Sequence, residues 1–503
     1  MMKPAFASPY TRFDLLWPPT FLSASLDNRV LLGSNTMTTN AVNREPASPP
    51  APPKGTILRR NYLSALENVA QAVGTMGPAA TLGTVIPLLI AKTGNGTWLL
   101  FLGILAVFIL ISININVFAS RFASAGSLSS YAEKGLGGWP GILTGWSYIV
   151  AMTFIVTSSV VASSYYLGMV MAHFTHRPIG KVGSILLTML VVVLAWFPAY
   201  RDIKLSTKIL LCTEAISVSV IACILGIAMS RSGHALDQAQ LHLAGAGFPQ
   251  FKMGLVLAFM MLAGFESATT LGEEVQSATR TIPRVMFFCL LPIGLLFMAG
   301  IYSTTALSHS RNIGFDPTNA PLDLIARSID LPALGWMSSL GVALSCFGCA
   351  LGGLNAGARV IFSMARERLF APFFAKIHPA NGTPSRALLV MVSVALIVAG
   401  LLVVCGVAMA NAMDYLMQIA SFGFLGGYFS VCVAAPFYLA RRHALTATQL
   451  LVGAITLMVI GSVLFLSLIP IPAAPWRYLP YLFAVLVFMG TLSSAYYRGK
   501  LRA

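Results

Sequence analysis

The chain has 503 residues, of which 57% are hydrophobic and only 10% charged. An ordinary soluble domain carries roughly 25% charged residues, so that class is excluded. The formal net charge of +16 would suit nucleic acid only if a basic face with interleaved aromatics were present; none is, and no nucleic-acid partner is expected.

In chain order, residues 1–55 come first and contain no 20-residue apolar run. PASPPAPPK (Pro46–Lys54) reads as an extended, solvated tail, and Arg12 and Asp14 interrupt the short apolar pieces that a signal peptide would need. The expectation is a disordered N-terminal tail, with Met37 a candidate for the true start. Ordered structure should begin near Thr56–Tyr62, where Ser64 and Glu67 have the spacing of a capping box.

Beyond the tail, apolar runs of membrane length recur. A span needs about 20 apolar residues to cross a ~30 Å hydrocarbon core. Twelve are expected, near 64–91, 98–120, 139–173, 181–199, 207–230, 252–271, 285–309, 333–364, 386–406, 411–440, 448–470 and 477–497. These runs do not alternate in polarity, which argues against a transmembrane barrel. If the N-terminus is cytoplasmic, 24 of the 32 lysines and arginines lie on its side of the membrane. That bias predicts both termini inside a cytoplasmic (inner) membrane and explains the positive charge by topology.

Two spans are interrupted by glycine, proline and an acid: VGTMGPAATLG (Val73–Gly83) and AGFESATTLGEE (Ala263–Glu274). A helix unwinds in hydrocarbon only where protein, water or a ligand takes the freed backbone groups, so paired interruptions point to a transporter's substrate site. At the first, Gly74, Gly77 and Pro78 permit unwinding, and the N–H groups of Ala79, Ala80 and Thr81 are expected to face a carboxylate at a new helix N-terminus. At the second, Gly264 opens the helix, and the carbonyls of Met261, Leu262 and Ala263 suit an ammonium group. The expected substrate contacts are Gly74, Thr75, Met76, Gly77, Ala79, Ala80, Met260, Met261, Ala263, Gly264 and Phe265. Two intramembrane acids, Glu266 and Glu214, are candidates for proton coupling, because a carboxylate at this depth must be protonated, paired or facing a cavity. The competing readings are packing kinks at the glycines and a structural hydrogen bond at Glu266. The echo of Ala80-Thr81-Leu82-Gly83 in Thr269-Thr270-Leu271-Gly272 falls where a repeat of spans 1–5 in spans 6–10 would put it.

Three blocks carry a family resemblance: RFASAGSLSSYAEKGLGGWPGILTGW (Arg121–Trp146), GFESATTLGEEVQSATRTIPRVM (Gly264–Met286) and GGLNAGARVIFSMARERLFAPFFAKIHP (Gly352–Pro379). The chain resembles the amino acid/polyamine/organocation (APC) superfamily of permeases. The resemblance implies an all-α polytopic membrane protein of twelve transmembrane helices. Residues 56–440 would form a ten-helix 5+5 inverted-repeat core of the leucine-transporter type with broken helices 1 and 6, and residues 441–503 two further helices and a short tail. It also implies secondary active transport of an amino acid by alternating access, as a symporter or antiporter, with an organic amine as the alternative substrate and a transporter-like nutrient sensor or scaffold as the alternative class.

Departures from the family pattern limit the carry-over. Gly77-Pro78-Ala79 stands where Gly-x-Gly is common, and proline offers no N–H. Met260 stands where arginine exchangers carry an aromatic residue, and Ser217 where many relatives carry a lysine. Phe265 is a candidate gate, with apolar packing as the competing reading; Asn355 and Gly357 are candidates for binding a substrate or ion, and for these two the structural reading leads. Arg359 and Arg366, seven residues apart on one helical face, are expected to meet lipid headgroups or Glu273 and Glu274 and to latch the inward gate. The seven cysteines fall inside predicted spans as small packing residues. The histidines sit at span ends or in loops, so no metal or cofactor is expected. No HExxH, GxSxG or phosphate-cradling glycine loop appears, and an enzyme is not expected.

Overall fold

In the computed structural model the described residues are 57–232, 236–315, 320–469 and 474–500; the tail expected over residues 1–55 lies outside them. Helix α1 (Ala65–Met76) opens as the Ser64/Glu67 spacing predicts, with the Ser64 N–H donating to Glu67 Oε2 at 2.5 Å. After an interruption at Gly77 the chain passes through Pro78–Ala80 and a wide π turn, Thr81–Val85, into α2 (Ile86–Thr93). Gly94, at φ +55°, precedes α3 (Thr97–Ala119). There follow the short α4 (Leu128–Leu136), then α5 (Gly138–Thr175), α6 (Lys181–Arg201), α7 (Ile203–Ser232) and α8 (Phe248–Met260). A second interruption at Gly264 leads into a 3₁₀ stretch, Phe265–Leu271. The remaining helices are α9 (Ala278–Arg311), the short α10 (Pro321–Ser328), α11 (Pro332–Arg366), α12 (Ser385–Val404), α13 (Met409–Arg441), α14 (Ala447–Leu468) and α15 (Leu479–Lys500).

Eleven stretches among the described residues are long and apolar enough to cross a membrane, which makes this a multi-pass membrane protein. From the third onward the predicted spans coincide with these stretches to within several residues. The first two fall in one continuous stretch of 55 residues, Ala65–Ala119. At ~1.5 Å per residue that is more than twice the ~30 Å hydrocarbon core. Among the described residues the single extended pairing is a bridge between Leu63 and Val275.

Polarity is distributed inside out relative to a soluble protein. Asn68, Gln71, Glu214, Glu266, Glu274 and Arg359 are buried, whereas Leu450, Met458, Phe465, Phe488 and Met489 on α14 and α15 are exposed. In lipid, apolar side chains need no cover, and buried polar groups must find one another. The largest helix interfaces join α5 to α11 and α13, with α1 and α7 packed on α11. These helices form the packed interior, and α14 and α15 lie at the periphery. Small residues allow the close approaches: a Cβ on Gly74 would stand 2.6 Å from Leu210 Cδ2 on α7, and one on Gly352 would stand 2.5 Å from Thr75 Oγ1.

Candidate substrate site

The two interruptions touch. Gly77 is left-handed at φ +55° and Gly264 has φ +102°, conformations that favour glycine. A Cβ on Gly264 would lie 3.0 Å from Thr75 Cγ2 and 3.2 Å from Thr75 O. The last turn of α1 therefore crosses the second interruption directly.

At the first interruption every amide can be traced. The Gly77 N–H donates to Val73 O at 3.1 Å and the Thr81 N–H to Gly77 O at 2.9 Å, while Pro78 has none. The Ala80 N–H donates to Ser345 Oγ of α11 at 2.9 Å. Ser345 in turn donates towards Glu214 of α7, its Oγ standing 2.7 and 2.9 Å from the two carboxyl oxygens. The Ala79 N–H interacts with the same carboxyl. Thr81 thus departs from expectation, its N–H being used within the resumed helix.

The second interruption is served by Glu266, which is fully buried. Its Oε2 accepts from the Gly264 N–H at 3.0 Å and from the Tyr428 hydroxyl of α13. Among the described residues its Oε1 has no hydrogen-bond partner, nor has the Tyr148 hydroxyl, which faces the same carboxyl. Phe265 is fully buried among Phe108 (centroids 5.7 Å) and Tyr428 (6.0 Å).

A relay joins the two interruptions. Ser267 Oγ donates to Thr75 Oγ1 at 3.0 Å and Thr75 Oγ1 to Gln71 O at 2.8 Å. Gln71 Nε2 donates to Gly352 O at 2.8 Å, and Asn355 Nδ2 to Gln71 Oε1 at 3.3 Å. Asn355 thus ties α11 into the relay through Gln71.

Beside the crossing lies a cavity of about 50 Å³, lined by Thr75, Met76, Ala80, Met260 and Ala263 from the interrupted segments and by Ser158, Ser159, Cys346, Cys349, Met413 and Met417 from α5, α11 and α13. Of the expected contacts, Gly74, Gly77, Ala79, Met261, Gly264 and Phe265 are not in its wall, nor are Glu214 and Glu266. Thr84, Val85, Met413 and Met417 are shared with a larger cavity of about 330 Å³, which reaches Lys92, Asp414 and Trp476. At the opposite end of the interrupted segments two ion pairs join α11 to the loop after the second interruption, beside a separate cavity of about 440 Å³ that Glu273 and Arg366 help to line. Arg359 donates to Glu274 from Nε at 2.5 Å and Nη2 at 3.1 Å, and Arg366 Nη1 donates to Glu273 Oε2 at 2.7 Å. Both arginines meet acids, one of the two alternatives the sequence leaves open. The Ala125 N–H also donates to Glu273 Oε1 at 3.3 Å, so the three sequence blocks quoted above converge here.

Gln71, Ser345, Tyr428, Ser158, Ser159, Met413 and Met417 are absent from the sequence expectations. Gln71 had a signal, a polar side chain within two turns of the break; a serine or tyrosine in an apolar run has none. All seven cysteines are free, but Cys212, Cys223 and Cys405 are exposed rather than packed, and Cys405 lies just past the end of α12.

A family model described as amino acid permease matches residues 69–496. The chain belongs to this family of permeases, within the APC superfamily. An uncharacterized transporter, Rv1999c of Mycobacterium tuberculosis, is 26% identical over 341 residues, covering 66% of this chain and 72% of the relative. The low-affinity putrescine importer PlaP of Escherichia coli is 25% identical over 306 residues (58% and 64%), and the branched-chain amino acid permease BcaP of Bacillus subtilis is 22% identical over 326 (61% and 69%).

Proposed function

We propose that this permease is a secondary transporter that carries a small organic nitrogen compound, an amino acid or an amine, across the cytoplasmic membrane by alternating access. The observation that carries this reading is the small cavity at the crossing of two interrupted helices, continuous in its lining with a larger cavity on one side and flanked on the other by the ion pairs Arg359–Glu274 and Arg366–Glu273. A site open to one side at a time is what alternating access requires. Relatives named for putrescine and for branched-chain amino acids support the substrate range.

In this reading the 55-residue stretch is two crossings folded at Gly94, the total is twelve, and helices 1 and 6 are the broken pair of a 5+5 inverted repeat. The ion pairs form the cytoplasmic gate, and Lys92 and Trp476 lie at the outer face. In the same reading Glu266 is the proton-coupling residue, its Oε1 having no hydrogen-bond partner among the described residues. Uptake of radiolabelled putrescine and leucine into proteoliposomes tests the proposal: saturable, counterflow-competent uptake of at least one is expected, and it is lost in Ala162→Phe, which fills the cavity wall. Saturable binding without any flux would point to a sensor instead.

A further inference from the structure

Both interruptions carry a carboxyl group of their own. A helix N-terminus inside a membrane protein attracts anions because its N–H groups lack partners. Here those groups are spoken for: Gly77 and Thr81 bond within the helix, Ala80 bonds Ser345, Ala79 turns to Glu214, and at the other break Gly264 bonds Glu266. Glu214 is a side chain of α7 that reaches this helix end through Ser345 of α11, so three elements hold it there. The wall of the 50 Å³ cavity includes Ala80 and Cys346 from this assembly and has no charged side chain of its own. A ligand carboxylate entering the cavity would find no backbone donor at the first break and two built-in acids behind the wall. A ligand with an ammonium and no carboxylate would meet the hydroxyl and sulfur acceptors of Thr75, Ser158, Ser159, Met413 and Met417.

We propose that Glu214 is a specificity-determining residue: it occupies the place of a substrate carboxylate at the resumed first helix and restricts the site to small amines that lack one. This rests on the transport reading of the cavity and selects within its substrate range.

Matched pairs that differ only by decarboxylation test it. The full-length protein, purified in detergent, is titrated with putrescine and ornithine, cadaverine and lysine, and isoamylamine and leucine, with binding read by thermal stabilisation and by competition. At least one amine is expected to bind ten-fold or more tightly than its amino acid. Glu214→Ala, and separately Ser345→Ala, should narrow that ratio at least five-fold by strengthening the amino acid; Glu214→Gln, close in shape, keeps the assay open if the alanine variant does not fold. An amino acid bound by the native protein as tightly as its amine, or a ratio unmoved in every folded variant, overturns the role of Glu214 and leaves the transport reading standing. Silence across all six compounds overturns the organic-nitrogen reading of the cavity, and this inference with it.

Discussion

Arg359 holds both carboxylate oxygens of Glu274, and neither side chain is more than 2% exposed. Removing one member of such a pair strands the other charge in a dry site, which costs about 3–5 kcal/mol. Arg359→Ala should therefore lower thermal stability sharply. Arg366, with a quarter of its side chain exposed, should cost at most ~1 kcal/mol in Arg366→Ala. Unfolding of the two variants in the same detergent makes the comparison, and equal losses would contradict the difference in burial.

Gly264→Ala adds a methyl group at φ +102°, 3.0 Å from Thr75 Cγ2. Backbone strain of this kind costs about 1–3 kcal/mol, and any shift that relieves it moves the crossing of the two breaks. Gly103→Ala in α3 has nothing within 4 Å and should be neutral or stabilising by up to ~1 kcal/mol. Thermal unfolding should separate the two, and binding should fall only in the first.

Tyr428→Phe removes a hydroxyl donated to Glu266. The cost expected for a buried polar group left short of a partner is about 1–3 kcal/mol. Glu266→Gln retains an acceptor but cannot release a proton, so the pH dependence of uptake should flatten while ligand binding persists. Wild-type pH dependence in that variant would remove Glu266 from coupling.

Glu367, just past α11, accepts a bond from Ser363 Oγ at 3.0 Å. Burial, reinforced by nearby Glu133, pushes its carboxyl up to about 6 from 4.5. A raised carboxyl contributes stability that is present below pH 4.5 and lost as the pH rises through 6, at most about 2 kcal/mol. Glu367→Gln should melt higher than the native protein at pH 7.5 and show a smaller gain at pH 4.5. Parallel curves across that range would exclude the group as the source.

The spans were legible because lipid makes length and apolarity sufficient evidence of a crossing. Gly77, Pro78 and Gly264 were legible because their backbone chemistry acts locally. The fate of the freed groups was not, since it depends on side chains from distant parts of the chain: Ser345 and Glu214 reach one break, Tyr428 the other. Nor does an apolar run tell which of its faces turns inward, so Met260 could be told from Met261, and Phe265 from Ala263, only in three dimensions. The pairing of Arg359 with Glu274 was half legible, because the charges were evident and their burial was not.

The segment before α1 is stitched to the loop after the second break: the Tyr62 and Leu63 N–H groups both donate to Glu274 O, at 2.7 and 2.9 Å, and the Gln276 N–H donates back to Leu63 O at 2.9 Å. The same Glu274 whose side chain holds Arg359 thus carries the tether on its carbonyl. Two interrupted segments tied at one end are mechanically joined there, so a displacement of either is passed to the other and to the Arg359–Glu274 clasp together.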